Sequence, residues 1–195
     1  STSGATRTAA QGRSRISGAA EADDDARAGS LGRVGWGLLA VLVLAAVLRA
    51  VGLDSGLWYD EIVTLVEFVR LPAYDLATTY TTPNNHILYS LLAHGAIGAF
   101  GEHAWALRLP AAVFGVLSVA AVFFLGTRVA SRGEALLASA LLAVSYHHVW
   151  FSQNARGYTG LLCLALLGTA FFLEGMRTGE RRVWLGYALV VATAF

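Results

Sequence analysis

The chain contains no lysine: all 14 of its basic residues are arginine. Alongside so much Ala, Gly and Val, that bias points to a GC-rich bacterial genome. Charge of either sign is scarce, at 14% of residues, and the net charge is only +1. The few arginine clusters flank apolar runs instead of forming a basic patch, which argues against a nucleic-acid binder. A single cysteine, Cys163, sits inside an apolar run. No disulfide can form within the chain, and the thiol reads as a small buried apolar side chain. The apolar runs are also nearly free of acids, with Glu174 close to the end of one.

What the chain has in quantity is hydrophobic residues, 56% against roughly 45–50% in a soluble domain. They fall in blocks at 34–53, 85–100, 109–127, 135–151, 158–176 and 183–195. The first, Val34 to Leu53, is long enough to cross a bilayer as a helix. The class is therefore an all-α polytopic membrane protein. Residues 1–33 are different: Ser, Gly and Ala dominate, with the acidic run Asp23-Asp24-Asp25. Such a stretch buries too little surface to offset its ordering entropy, and it is expected to be a disordered cytoplasmic tail. It lacks the h-region and cleavage site of a signal peptide. With no initiator Met and an apolar end at Phe195, the chain reads as an N-terminal fragment of a longer protein.

Six spans in strict alternation would export Arg128 with Arg132, and Arg177 with Arg181 and Arg182, against the positive-inside rule. Dropping one span repairs this. The weakest is 85–100, sixteen residues with His86, Ser90 and His94 forming a polar stripe opposite Ile87, Leu88, Leu91, Leu92 and Ile97. This predicts an amphipathic helix lying in the interface, its polar stripe toward water. Spans are then expected at 34–53, 109–127, 135–151, 158–176 and 183–195. They make one transmembrane module, 34–195, with a large extracytoplasmic loop, 54–108. The N-terminus is cytoplasmic and the membrane a bacterial plasma membrane.

That topology gathers the polar residues on one side. Asp60 and Glu61 follow the first span, beside Trp58 and Tyr59. Neighbouring residues of a helix diverge by ~100°, so the two carboxylates need not share a role. One can accept a proton from an attacking hydroxyl while the other orients a partner or metal. Asn84, Asn85 and His86 offer contacts for sugar hydroxyls, phosphate or metal, although the spacing of His86, His94 and His103 is not a metal motif. Arg108 and Arg156, the latter beside Gln153 and Asn154, lie at outer boundaries where arginine is disfavoured. A phosphate would give them a reason, as would snorkelling to headgroups. Arg49, one turn from the end of its span, is expected to snorkel. Trp36, Trp58, Trp105, Trp150 and Trp184 near span ends read as an aromatic belt. From these residues alone two functions stay open: an enzyme acting on a lipid-borne substrate, and a transporter or lipid flippase using Asp60-Glu61 as a proton relay. The scarcity of acids in mid-span weighs against the second.

Four stretches in order resemble the C-type glycosyltransferases, a group that includes the protein O-mannosyltransferases and lipid A aminoarabinose transferases. They are Leu57–Glu61, Pro83–Leu92, Ala106–Gly115 and Ser145–Tyr158. Relatives often read His-Pro-Pro-Leu-Tyr-Tyr in the second and Ser-Gln-Glu-Ala-Arg-Met-Tyr in the last. The resemblance implies a polyprenyl-phosphate-linked sugar donor, an acceptor on a lipid, polysaccharide or protein, and inverting transfer in the first extracytoplasmic loop. By carry-over Asp60 is the general base and Glu61 an acceptor- or metal-orienting group. Arg108 and Arg156 lie near the donor phosphate, with Asn84, Asn85, His86, Gln153, Asn154 and Tyr158 as further substrate contacts. Asn84-Asn85 replaces the Pro-rich stretch, and Asn154 stands where an acid is common, so no metal ligand is assigned and metal dependence stays open.

Overall fold

A computed structural model describes residues 32–78 and 86–194. The chain divides into two compact units, Ser1–Gly37 and Leu38–Phe195. Of the first, only the opening turns of α1 are described; every other described element belongs to the second. Asn84 and Asn85 lie outside the described residues, as does the tail before residue 32.

Every described regular element is helical. They are α1 (Gly32–Ala50), α2 (Tyr59–Val63), a π-helical segment (Thr64–Val69), α3 (Ala73–Thr78), α4 (Ile87–Phe100), α5 (Ala104–Val129), α6 (Arg132–Val144), α7 (Tyr146–Ser152), α8 (Tyr158–Thr178) and α9 (Arg181–Ala194). Three of them, α1, α5 and α8, are long and apolar enough to cross a membrane. The 26 residues of α5 extend about 39 Å at ~1.5 Å per residue, beyond the ~30 Å hydrocarbon core. An all-α, polytopic membrane protein is what these helices make.

The span expected at 135–151 is broken. Ser145 is extended (φ −61°, ψ 118°) and α6 meets α7 at a bend of 62°. A broken helix leaves carbonyls without intrahelical donors, and here Arg49 from α1 reaches across to donate to Ala143 O at 3.3 Å. At its other end α6 is stopped by a capping box: Ser131 Oγ accepts from Glu134 N, and Ser131 N donates to Glu134 Oε2. The helix α1 ends earlier than Leu53 because the chain turns at Gly52, whose φ of +77° suits a residue without a Cβ.

Helix α5 is the hub, packing on α4, α6, α7 and α8. Small residues permit the close approach: a Cβ on Gly160 would touch the Phe114 ring at 3.4 Å. Thr159 Oγ1 donates to Ala111 O and Ser118 Oγ to Thr159 O, so hydroxyls bind α8 to α5. One apolar cluster, Leu65, Val69, Tyr89, Ala93, Leu107, Ala111 and Ala155, joins the π-helical segment, α4, α5 and the turn after α7. A second, Ala45, Val119 and Ala143, holds α1 against α5 and α6.

The polar stripe of α4 does not face water. Ser90 is fully buried, Tyr89 Oη donates to Leu107 O at 2.6 Å, and His94 Nδ1 donates to Val69 O at 2.8 Å. The cause is the neighbouring backbone: a carbonyl at the end of the π-helical segment needs a donor, and the histidine of α4 supplies it. Leu92 and Phe100 are exposed instead.

Candidate functional site

The first turn of α2 parts the two acids. Glu61 is completely buried while the Asp60 side chain is 50% exposed. Glu61 Oε1 accepts from Arg108 Nε at 2.8 Å and from Ala155 N at 2.7 Å. Its Oε2 accepts from Arg108 Nη2 at 2.6 Å and from Trp58 N at 2.9 Å. Two carboxylate oxygens have about four lone-pair positions, and all are taken. Arg108, 1% exposed, is equally engaged. Beyond Glu61 it donates from Nη1 to Leu53 O, Ser55 O and Ser55 Oγ, and from Nη2 to Gly56 O. A buried ion pair is tolerable only with such complete satisfaction, because desolvation opposes it.

Asp60 faces the other way. Its Oδ2 meets Arg156 Nη1 at 2.7 Å, and the Arg156 guanidinium lies 4.9 Å from the centre of the Tyr158 ring. Tyr158 in turn makes edge contacts with His86 at 5.4 Å and Phe151 at 5.1 Å between ring centres. Gly157 allows this: a Cβ there would sit 2.8 Å from Cβ and Cγ of His86. His86 has its pKa lowered, first by burial and then by the charge of Arg156, so its imidazole is held neutral. Its Nε2 is buried with no hydrogen-bond partner among the described residues.

His86 also stands at the head of a hollow of about 460 Å³, walled by Tyr89, Phe114, Gly160, Leu164 and Ala192. A second hollow, also about 460 Å³, continues from Leu161 and Leu164 down the groove between α8 and α9 to Phe172 and Tyr187. A mostly apolar trough therefore starts at His86, whose ring touches the Tyr158 ring that Arg156 lies against, and runs lengthwise along two helices.

The remaining sequence-derived residues take supporting positions. Gln153 Nε2 donates to the carbonyls of Leu48, Arg49 and Val51, capping the end of α1. Asn154 is buried, and its carbonyl accepts from Arg156 N at 2.7 Å. The expectation that Arg49 snorkels is corrected: it is 1% exposed. Arg49 donates from Nε to Ser152 Oγ at 3.2 Å, from Nη1 to Ala45 O and Ala143 O, and from Nη2 to His148 Nδ1 at 2.6 Å. Because the guanidinium only donates, His148 Nδ1 is the acceptor. One of the two carbonyls, Ala143 O, belongs to the last turn of α6, where the helix dipole favours a cation, and these acceptors replace a carboxylate partner. Sequence reasoning found neither this cluster nor the role of the Ala155 N–H. Among the described residues no three His, Cys, Asp or Glu side chains converge to hold a metal ion. Glu61, with both oxygens saturated, has no lone pair left for one.

Asp60, Glu61, His86, Arg108, Gln153, Asn154, Arg156 and Tyr158 thus gather at one end of the helix cluster. Arg128 and Glu174, 3.6 Å apart, mark the opposite ends of α5 and α8. No curated protein and no solved structure matches the chain. A family model does match, over residues 81–195, more than half of the sequence. The helical membrane architecture and the segments His86–Arg108 and Gln153–Tyr158, which carry much of the site, fall within that match: the chain belongs to the dolichyl-phosphate-mannose-protein mannosyltransferase family, a family of C-type membrane glycosyltransferases.

Proposed function

We propose that the protein transfers a sugar from a polyprenyl-phosphate donor to an acceptor hydroxyl, with inversion at the anomeric carbon and Asp60 as general base. The observation that carries this reading is the Asp60 carboxylate, half-exposed and paired with Arg156, whose guanidinium lies against Tyr158 and so next to His86 at the head of the apolar trough. Asp60 lies outside the matched residues, so its assignment rests on this geometry. The acceptor oxygen attacks the anomeric carbon, its proton passes to Asp60, and the bond from that carbon to the phosphate oxygen breaks. The electron pair leaves on the lipid phosphate, where Arg156 balances the charge. Neutral His86 can donate one hydrogen bond to the same oxygens without adding charge. Arg108, with its donors engaged, is left out of the phosphate contacts. The isoprenoid chain lies along the trough between α8 and α9, whose apolar walls suit it.

The reaction face is extracytoplasmic by the positive-inside rule: Arg128, Arg132, Arg177, Arg181 and Arg182 all lie at the ends of α5, α6, α8 and α9 remote from Asp60. In the full-length protein, Asp60→Asn is expected to lower transfer from a labelled polyprenyl-phosphate sugar by ~10²–10⁴-fold, the usual contribution of a general base. Expression and membrane insertion should be unchanged. Near-normal turnover by that variant would remove Asp60 from the mechanism.

A further inference from the structure

We infer that Glu61 is a positioning residue, and that Glu61 and Arg108 together form a clasp that sets the distance between Asp60 and Arg156. This rests on the roles proposed for Asp60 and Arg156. It departs from assigning Glu61 to the acceptor or to a metal.

Occupancy decides the matter. A group that binds substrate needs a lone pair and a path to it. Glu61 has neither, being fully buried with four donors on two oxygens. What it binds is informative. Trp58 N belongs to the N-cap of α2, two residues before Asp60. Ala155 N belongs to the residue just before Arg156. One carboxylate therefore grips the backbone beside each member of the reactive pair, its own helix turn at Trp58 and, 94 residues further along the chain from Glu61, Ala155. Arg108 completes the grip from α5 and ties in the turn after α1 through Leu53, Ser55 and Gly56. With both backbones held on one buried carboxylate, Asp60 Oδ2 and Arg156 Nη1 meet at 2.7 Å although Asp60 itself is half in solvent. An ion pair whose carboxylate is half in solvent has limited geometric definition of its own; packing on Tyr158 orients the guanidinium, and the clasp beneath fixes the two backbones.

A pair that acts only by position can be replaced as a pair. Removing one member leaves the other as a lone buried charge, which is strongly disruptive, whereas neutralising both is far milder. The test uses the full-length protein with Glu61→Gln, Arg108→Gln and the double variant, folded fraction being measured by size exclusion in detergent. Transfer is assayed at saturating donor, per folded molecule, a readout that loss of folded protein alone would not move. Each single variant should lose ~100-fold in kcat, the scale of a misplacement of about 1 Å, and the two losses should be alike. The double variant should recover to within ~10-fold of wild type, and it remains measurable if a single variant fails to fold. A folded double variant with no recovery, as inactive as the loss of a substrate-binding Glu would leave it, overturns the clasp. The outcome for Asp60 is separate. If Asp60→Asn is inactive and the double variant is not rescued, the clasp falls and the transfer reading stands. If Asp60→Asn is active, the base assignment falls.

Discussion

Gly115 offers a stringent test of how the site is supported. It lies in α5 facing α7, and a Cβ built there falls within covalent-like approach of Ser152 Oγ, 2.7 Å from Ser152 Cβ and 2.8 Å from Arg49 Nε. Rotating the serine hydroxyl cannot relieve this, because the Cβ of Ser152 is itself in the way. Either α5 and α7 separate by about 1 Å or Arg49 gives up its Nε bond to Ser152. Overpacking typically costs about 1–3 kcal/mol, and a lost hydrogen bond to a buried charge about 1.5–3 kcal/mol. Whichever route is taken, Gly115→Ala should therefore destabilise by about 1–3 kcal/mol. At ~2–4 °C per kcal/mol for a chain of this size, the expected fall in Tm is about 5 °C. The assay is thermal unfolding of detergent-solubilised protein by tryptophan fluorescence. The double variant Gly115→Ala/Ser152→Gly removes both clashing atoms of Ser152 and should regain about half of the loss, a coupling visible only if these residues touch. An unshifted Tm for Gly115→Ala, or strictly additive effects in the double variant, would refute this packing of α5, α7 and Arg49.

Two further outcomes are expected from the same contacts. His86 has a folded pKa below its ordinary value of ~6.5, so on acidification the unfolded chain takes up that proton first. Its contribution leaves stability intact above ~6.5 and erodes it as pH falls toward the lowered folded value. Replacing it by His86→Gln should make Tm less sensitive to a shift from about pH 7.5 to about pH 5.5, and an unchanged sensitivity would show that the imidazole is not buried. For sidedness, Ser152 is fully buried and useless as a label, whereas Tyr74, in α3 of the loop that carries Asp60, is 78% exposed and Ser131 is exposed at the far end. In intact cells a membrane-impermeant maleimide should modify Tyr74→Cys and spare Ser131→Cys in a Cys163→Ala background, while the reverse pattern would invert the topology.

Much of the framework was legible because bilayer physics leaves few choices. Apolar length marked α1, α5 and α8, the described helices long and apolar enough to cross a membrane; the run 85–100 forms α4, of 14 residues, and the span expected at 183–195 forms α9, also of 14 residues. Order along the chain also brought the site residues to one end. What sequence patterns concealed was the sense in which polar groups face. The stripe His86, Ser90, His94 has the period of an amphipathic surface helix, yet His94 serves a backbone carbonyl of the π-helical segment and Ser90 is buried within the protein. A helical period reports that one face is polar; it is silent on whether water or protein satisfies that face. The break at Ser145 was hidden for a related reason. An apolar run reads the same whether straight or bent, and the bend depends on Arg49, about a hundred residues earlier in the chain, supplying donors to the freed carbonyl.

Arginine was the residue type most often misread, and the two buried cases explain why. Hydropathy scales assign one cost to a guanidinium in an apolar segment and lead to snorkelling as the default escape. Arg49 and Arg108 escape otherwise, each by engaging nearly all of its five donors with protein acceptors: carbonyls of two helices for Arg49, a carboxylate and a turn for Arg108. Such a residue cannot leave without stranding acceptors on several segments at once, so it fixes those segments against one another. Each is 1% exposed, whereas Asp60 and Arg156 meet where Asp60 is half in solvent. The adjacent acids Asp60 and Glu61 divide along the same line: the first is half in solvent on Arg156, the second fully buried on Arg108.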